Sequence, residues 1–128
     1  MLGKKEDTSK IDTIVGKGGF IKGDVEVSKS LMVEGRIEGN VKVKGQLILS
    51  KGAHIRGDVI CDELITDGTI EGKVKVKTRA EIQKHGKIMG EIHCRLLVVE
   101  EGGFINGLTN MMGDVEDSGK EVKDKKNS

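Results

Sequence analysis

The sequence predicts an all-β fold: a single-stranded, three-sided β-helix of about six coils. Three observations predict it. A phrase built on Gly-x-Ile-x-Gly recurs at intervals of 15–18 residues, apolar residues alternate on both sides of each copy, and the 128-residue chain holds 19 Gly but no Pro. Alternation indicates half-buried strands, and a period near 17 residues accommodates three short ones. A chain of this length forms one domain.

The glycine phrase defines the coils in order. Five copies match the phrase without change and one carries an inserted residue; they lie at 19–23, 35–39, 52–57, 68–72, 86–90 and 103–107. In each coil an apolar pair precedes the phrase, the Ile of the phrase stands alone, and a second apolar pair follows, which makes three strands. The inward residues predicted for the closing coil are Leu97, Val99, Ile105 and Leu108.

The predicted coils explain the composition. Gly is expected at corners where a positive φ or a close approach of two backbones is needed, and Pro would remove a donor from strands that pair on both sides. We predict the β-helix over residues 13–112. The polar segments 1–12 and 113–128 are predicted to be disordered tails.

The charge balance and the aromatic content narrow the classes of binding partner that are expected. The 22 basic and 21 acidic residues give a net charge of +1, and the chain has two Phe but no Trp or Tyr. Neither a polyanion-binding surface nor a stacking platform is indicated, so nucleic acid is not expected as the main partner. No apolar stretch approaches the length of a membrane span, and the first residues lack the apolar core of a signal peptide, so we expect a cytosolic protein.

The two cysteines occupy one inward column, otherwise filled by Val27, Val43 and Val76. Cys61 and Cys94 are two coils apart, a separation of about 9.6 Å at the usual strand spacing. This exceeds the roughly 7 Å limit for a disulfide, so we interpret both as small buried hydrophobic residues.

The histidines do not predict a metal site. His54, His85 and His93 fall in different columns of the repeat, whereas a carbonic-anhydrase-like site needs histidines of adjacent coils to meet. We therefore predict no catalytic residue, no metal and no cofactor.

The repeated Gly-x-Ile-x-Gly-x-Val phrase, the absence of Pro and the short polar tails resemble the bactofilins, bacterial polymer-forming cytoskeletal proteins. The resemblance covers residues 13–112. It implies a right-handed β-helix that assembles end to end into non-polar filaments without a nucleotide, as a scaffold for cell shape or envelope processes. The partners it implies are further copies of the chain, the inner membrane surface, and cell-wall enzymes or other scaffold proteins.

The terminal coils are the predicted polymerisation interface, because the end of a β-helix presents unpaired backbone groups and an open apolar interior. The two Phe occupy equivalent positions in the first and last coils, at Phe20 and Phe104. The resemblance to bactofilins places an apolar assembly contact near the last coil, and Phe104 matches that place best. The alternative is that each Phe only covers a glycine-rich corner. The predicted interface residues are Phe20, Phe104, Ile105 and Leu108.

A second candidate surface is an outward column on the first strand of each coil. Five of its six residues are apolar, with Glu81 as the exception. Exposed apolar stripes are typical of contacts, so lateral filament contact or tail docking is one interpretation and simple β-propensity is the other. The stripe consists of Ile14, Met32, Ile48, Ile65 and Val98.

The N-terminus is a candidate membrane contact. Met1, Leu2, Lys4 and Lys5 combine apolar and cationic side chains, and they loosely match the short N-terminal segment that binds membranes in bactofilins. One or two buried side chains bind a membrane weakly, but many tails on one filament would act together. The alternative is an ordinary polar start of the chain.

Two classes of function remain. The first is a structural protein that polymerises and has no catalytic residue, at the inner face of the bacterial membrane. The second is a hexapeptide-repeat enzyme such as an acyltransferase, a trimer of left-handed coils. That class has strict six-residue spacing and usually a protruding loop, whereas here the interval varies from 15 to 18 residues.

Overall fold

The structure, a computed structural model, describes residues 13–111, which form thirteen β-strands and no helix. The all-β prediction is confirmed. Residues 1–12 and 112–128 lie outside the described part. The predicted disorder of both tails, and the assignment of Met112 to the β-helix, therefore stay predictions.

The strands form three faces of a β-solenoid of six coils, numbered in chain order. The first face holds β1 Thr13–Val15, β4 Leu31–Val33, β7 Gln46–Leu49 and β12 Leu96–Val99. The second face holds β2 Phe20–Lys22, β5 Arg36–Glu38 and β8 His54–Arg56. The third face holds β3 Val25–Val27 and β6 Val41–Val43. Four strands turn corners between faces: β9 Val59–Thr66, β10 Thr69–Ile82, β11 Lys87–Cys94 and β13 Phe104–Met111.

Every strand pairing is parallel and joins equivalent residues of consecutive coils. Ile37, for example, lies opposite Ile21 on one side and Ile55 on the other. Among the described residues, β1, β2 and β3 pair only with the second coil, and β12 and β13 pair only with the fifth. The two ends of the solenoid are therefore its sheet edges.

The core is a set of stacked columns of small and medium apolar residues. Ile37, Ile55, Ile70 and Ile88 form one column and are fully buried. Thr66 is the one buried polar residue in the described part of the chain. Its hydroxyl donates to the carbonyl oxygen of Gly68 and accepts from the Gly68 N–H, both at 3.1 Å, so it bonds to the turn that follows it.

The corner between the second and third faces depends on glycine. The last glycine of each phrase has a positive φ, as at Gly57 with 151° and Gly107 with 145°. A Cβ at Gly57 would overlap the carbonyl oxygen of Gly39 one coil earlier. Only glycine combines this dihedral angle with so close a backbone approach, which explains why the phrase recurs.

The closing coil corrects one predicted residue. Leu108 lies opposite Glu91, on the outer surface, and Thr109 takes the inward position opposite Ile92. The inward column is set by the distance from the preceding glycine, and the inward residue is always the second one after it. Leu108 is the first residue after Gly107, so the prediction that it points inward is wrong.

Candidate functional site: the terminal coils

The last coil leaves its inward residues open to solvent. Val99 and Met111 are 43% and 42% exposed, although they continue columns that are closed in the interior, opposite Ile82 and Cys94. Ile105 is partly buried against the core. Residues 13–111 place no further coil above them, and these side chains form an exposed apolar surface at a sheet edge.

The outer surface of the last coil carries an exposed apolar residue on each of the three faces, beside the polar Asn106 and Asn110. Leu96 and Leu108 are exposed, and so is Phe104. At four outward positions, a charged residue of the fifth coil is followed by an apolar one in the sixth: Arg79 by Leu96, Glu81 by Val98, Lys87 by Phe104, and Glu91 by Leu108. The apolar surface of this end therefore extends around its rim.

Sequence reasoning named Phe104, Ile105 and Leu108 at this end but missed Leu96. The signal was available in the repeat. Leu96 aligns with Arg79 and, one coil earlier, with Glu63. The column is otherwise polar or charged, with Gln46 before Glu63. A single apolar residue in it indicates a different environment, and Leu96 lies in the last described coil.

The two phenylalanines occupy one column of the second face, as predicted. Phe20 lies opposite Arg36 at one end, and Phe104 lies opposite Lys87 at the other. The Arg36 guanidinium sits 5.4 Å from the centre of the Phe20 ring, and the Lys87 ammonium 5.5 Å from that of Phe104. Each ring thus stacks on a cation of the neighbouring coil. Both rings remain about half exposed.

The apolar stripe of the first face is in register as predicted. Ile14 lies opposite Met32, Met32 opposite Ile48, and Ile48 opposite Ile65. Glu81 interrupts the stripe before the last coil and forms an ion pair with Arg79 at 3.1 Å. The stripe residues shield one another, so most are half-buried, and Ile14 at the end of the row is the most exposed.

The candidate membrane residues Met1, Leu2, Lys4 and Lys5 lie outside the described residues. Residues 13–111 contain no helix with the length and hydrophobicity of a membrane span.

The two cysteines are buried and free, in the predicted column. Burial raises the pKa of the Cys61 thiol to about 12, with a further contribution from the charges of Asp62 and Glu63. Burial alone raises the pKa of Cys94 to about 11. Both thiols are therefore protonated at neutral pH and poor nucleophiles.

Each histidine contacts an acidic residue instead of another histidine. His54 Nε2 lies 2.8 Å from Glu71, and His93 Nε2 lies 3.1 Å from Glu91. His85 Nδ1 lies 3.3 Å from Asp67. No cluster of three or more His, Cys, Asp or Glu suited to a metal occurs in residues 13–111.

A shallow groove of about 440 Å³ crosses the third face near Asp24, Asn40 and Asp58. Their side chains bond to the backbone of the following coil. Asp24 Oδ1 accepts the Asn40 N–H at 3.1 Å, and Asn40 Oδ1 accepts the Asp58 N–H at 3.2 Å. These side chains stabilise the stacking of coils.

The comparisons agree with this architecture. The chain matches the bactofilin family, described as polymer-forming cytoskeletal, over residues 13–110. It is 35% identical over 51 residues to bactofilin BacN of Myxococcus xanthus (strain DK1622), an alignment that takes in 40% of this chain and 45% of that relative. No solved structure matches the chain.

The parallel β-solenoid and the family match define the class: a structural β-solenoid of the polymer-forming cytoskeletal type. The family match covers most of the chain. The chain belongs to the bactofilin family.

Proposed function

We propose that this protein is a structural component that assembles end to end, through its terminal coils, into filaments that need no nucleotide. The single observation that carries the proposal is the end at the last coil, where strand edges that have no partner within residues 13–111 coincide with exposed Val99, Phe104 and Met111. Such an edge pairs readily with another chain. A second copy supplies a matching surface, because the same solenoid offers parallel edges at both ends.

The test is negative-stain electron microscopy and sedimentation velocity of the purified protein without nucleotide. We expect filaments for the wild type and their loss in Phe104→Arg, with β-structure retained by circular dichroism. Ile60→Arg is the matched control, since Ile60 is 42% exposed against 44% for Phe104 but lies on the third face away from both ends. A discrete trimer in the wild type would contradict the proposal and favour the hexapeptide-repeat enzyme.

The apolar stripe of the first face is proposed as a lateral contact between filaments. Its residues run parallel to the solenoid axis, so the stripe would continue along a filament of stacked copies. Replacing Met32 and Ile48 with Thr should leave single filaments intact and remove bundles in the same micrographs. Bundles that persist unchanged would assign the stripe to β-propensity alone.

We further propose a non-enzymatic scaffold in the bacterial cytoplasm, held at the inner membrane by the N-terminal residues Met1, Leu2, Lys4 and Lys5. Cell-wall enzymes or other scaffold proteins would bind along it. Deleting residues 1–5 should reduce co-sedimentation of filaments with liposomes, because many weak contacts act together on one polymer. Equal sedimentation of both proteins would remove the membrane contact from the proposal.

A further inference from the structure

One edge of the solenoid, between the third and first faces, carries a row of cations that the proposed function does not use. We call it the cationic edge; its residues are Lys42, Lys44, Lys75, Lys77 and Arg95, all exposed. Lys42 and Lys75 share one column, with Ile60 between them. Lys44, Lys77 and Arg95 share the adjacent column, in which Asp62 lies between Lys44 and Lys77.

The lysines of this edge differ from the cations of the second face. There, Arg36 pairs with Glu38 at 3.4 Å, and Arg56 lies 3.6 Å from Glu71. Within residues 13–111, the four lysines of the cationic edge form no ion pair. Toward the last coil, Lys75, Lys77 and Arg95 follow one another with no acidic residue between them in their two columns. Like charges held on a rigid sheet repel one another, so a polyanionic partner is favoured at this part of the row.

The chain itself supplies an acidic segment at the end of this row. Strand β13 ends at Met111, opposite Cys94 and therefore beside Arg95. Residues 113–118 contain Asp114, Glu116 and Asp117 and no basic residue. At about 3.3–3.6 Å per residue, the three residues from Met111 to Asp114 span roughly 10 Å, enough to reach Arg95 one coil away.

The other route available to the segment is electrostatically unfavourable. The edge between the first and second faces ends in Glu100 and Glu101 in the last coil. An acidic segment is repelled there and attracted toward Arg95 and Lys77. Because segment and edge belong to one chain, the local concentration of the segment is on the order of millimolar, so weak exposed ion pairs suffice to hold it.

We propose that residues 113–117 dock along the cationic edge of their own chain and compete there with external polyanions such as an anionic lipid surface. The docked segment runs down the side of the solenoid and leaves the last coil free for assembly. The inference is independent of filament formation.

The primary test is cleavage after Glu116 by a glutamate-specific protease, followed by mass spectrometry. Lys75→Gln/Lys77→Gln should raise the cleavage rate about fivefold. The control variant is Lys51→Gln/Lys84→Gln, which changes the net charge equally at exposed lysines of the edge between the first and second faces. It should be cleaved at the wild-type rate. Raising the salt to about 1 M should speed cleavage of the wild type, because the screening length falls to about 3 Å. Equal rates in all three proteins would overturn the proposal.

Two further results separate the alternative occupants. The first uses a mixture of ¹⁴N-labelled and ¹⁵N-labelled protein treated with a carbodiimide. Cross-links from Asp114, Glu116 or Asp117 to the lysines should join two peptides of the same isotope. Cross-links between different isotopes would assign the edge to a second copy and overturn the intramolecular docking.

The second result concerns binding to phosphatidylcholine vesicles with about 30% phosphatidylglycerol. The variant Asp114→Asn/Glu116→Gln/Asp117→Asn should bind them several-fold more tightly than the wild type, and adding Lys75→Gln/Lys77→Gln should abolish that gain. Unchanged binding would contradict the proposal, and neither result depends on residues 1–5.

Discussion

The first and last coils are both edges of one solenoid, yet they bury equivalent residues to very different extents. Val15 and Val27 of the first coil are 8% and 7% exposed, whereas their counterparts Val99 and Met111 are 43% and 42% exposed. The first coil also keeps charged residues on its outer surface, such as Lys22 and Glu26. The last coil is therefore the more apolar of the two ends.

The difference follows from the positions of the turns. A Cβ at Gly19 would lie 3.2 Å from Val15 Cγ1, so the first turn packs on Val15 of its own coil. A Cβ at Gly103 would lie 3.0 Å from Ile82 Cγ2, so the last turn packs on a residue of the preceding coil. Two ends with one repeat sequence thus differ in how much apolar surface they leave to a partner.

The largest effect is expected in the interior, at the glycine corner. Gly57→Ala combines a φ of 151° with overlap against the Gly39 carbonyl, and should cost about 3 kcal/mol or more of the free energy of unfolding. Gly23→Ala is the matched control, because φ is 139° but a Cβ there meets no atom within 4 Å. Equal unfolding midpoints in urea for both variants would show that overlap with the backbone does not determine which residues the corner tolerates.

The next effect separates the two ends in assembly. Phe104→Arg should raise the concentration needed for filaments at least about 30-fold, corresponding to about 2 kcal/mol for a central apolar contact. Phe20→Arg should change it less, since the first coil buries more of its own apolar surface. Sedimentation across a concentration series measures both. Larger disruption by Phe20→Arg would reverse the order of the ends.

The buried thiols give a pH dependence. Their pKa values, about 12 for Cys61 and about 11 for Cys94, lie above the ordinary value of 9.0. Above pH 9 the unfolded chain loses these protons while the native chain keeps them, so stability falls as pH rises from about 9 to 11. Each thiol therefore lowers the free energy of unfolding progressively as the pH rises through this range.

The matched variant for this pH dependence is Cys61→Val/Cys94→Val, which follows the Val of the same column. Its unfolding midpoint should decline less between pH 9 and 11 than that of the wild type. Parallel declines would mean that the thiols do not carry the effect. Cys94, next to the open coil, should also react with iodoacetamide before Cys61.

The smallest effect compares one column in the interior and at the open end. Thr66→Val removes the hydroxyl that bonds to Gly68 and should cost about 1–2 kcal/mol, because a buried N–H loses its partner. Val99→Thr, in the same column but open to solvent, should cost less than about 0.5 kcal/mol below the assembly concentration. Urea unfolding measures both, and equal costs would contradict the difference in burial between the two coils.

Much of this architecture can be predicted from the sequence, because each copy of the repeat fixes the positions of equivalent residues in the other copies. The glycine phrase and the alternating apolar residues are sufficient to predict the stacked columns, the shared position of Phe20 and Phe104, and the buried pair Cys61 and Cys94. The outward stripe on the first face also follows from alternation alone. Each of these features depends on residues a fixed distance apart along the chain.

The failures occurred where the last coil departs from its neighbours. The apolar pattern predicts that Leu108 points inward, but the stacking of Gly107 on Gly90 sets the register and turns Leu108 outward. The pattern does not include Leu96, because Leu96 precedes the alternating pair of its strand. In both cases the backbone register, fixed by the coil below, outweighed the side chain's own preference.

The coil, its period, its columns and the residues that occupy them follow from the sequence, because they depend on local spacing and on the positions where only glycine is tolerated. The tertiary structure alone decided which apolar residues remain uncovered at each end and which lysines stand without a partner within the described residues. The exposure and the ion pairing of a side chain depend on which residue of the neighbouring coil lies next to it. In the first and last coils, one of the two neighbouring coils is missing from residues 13–111, so the periodic pattern does not predict the exposure of their side chains.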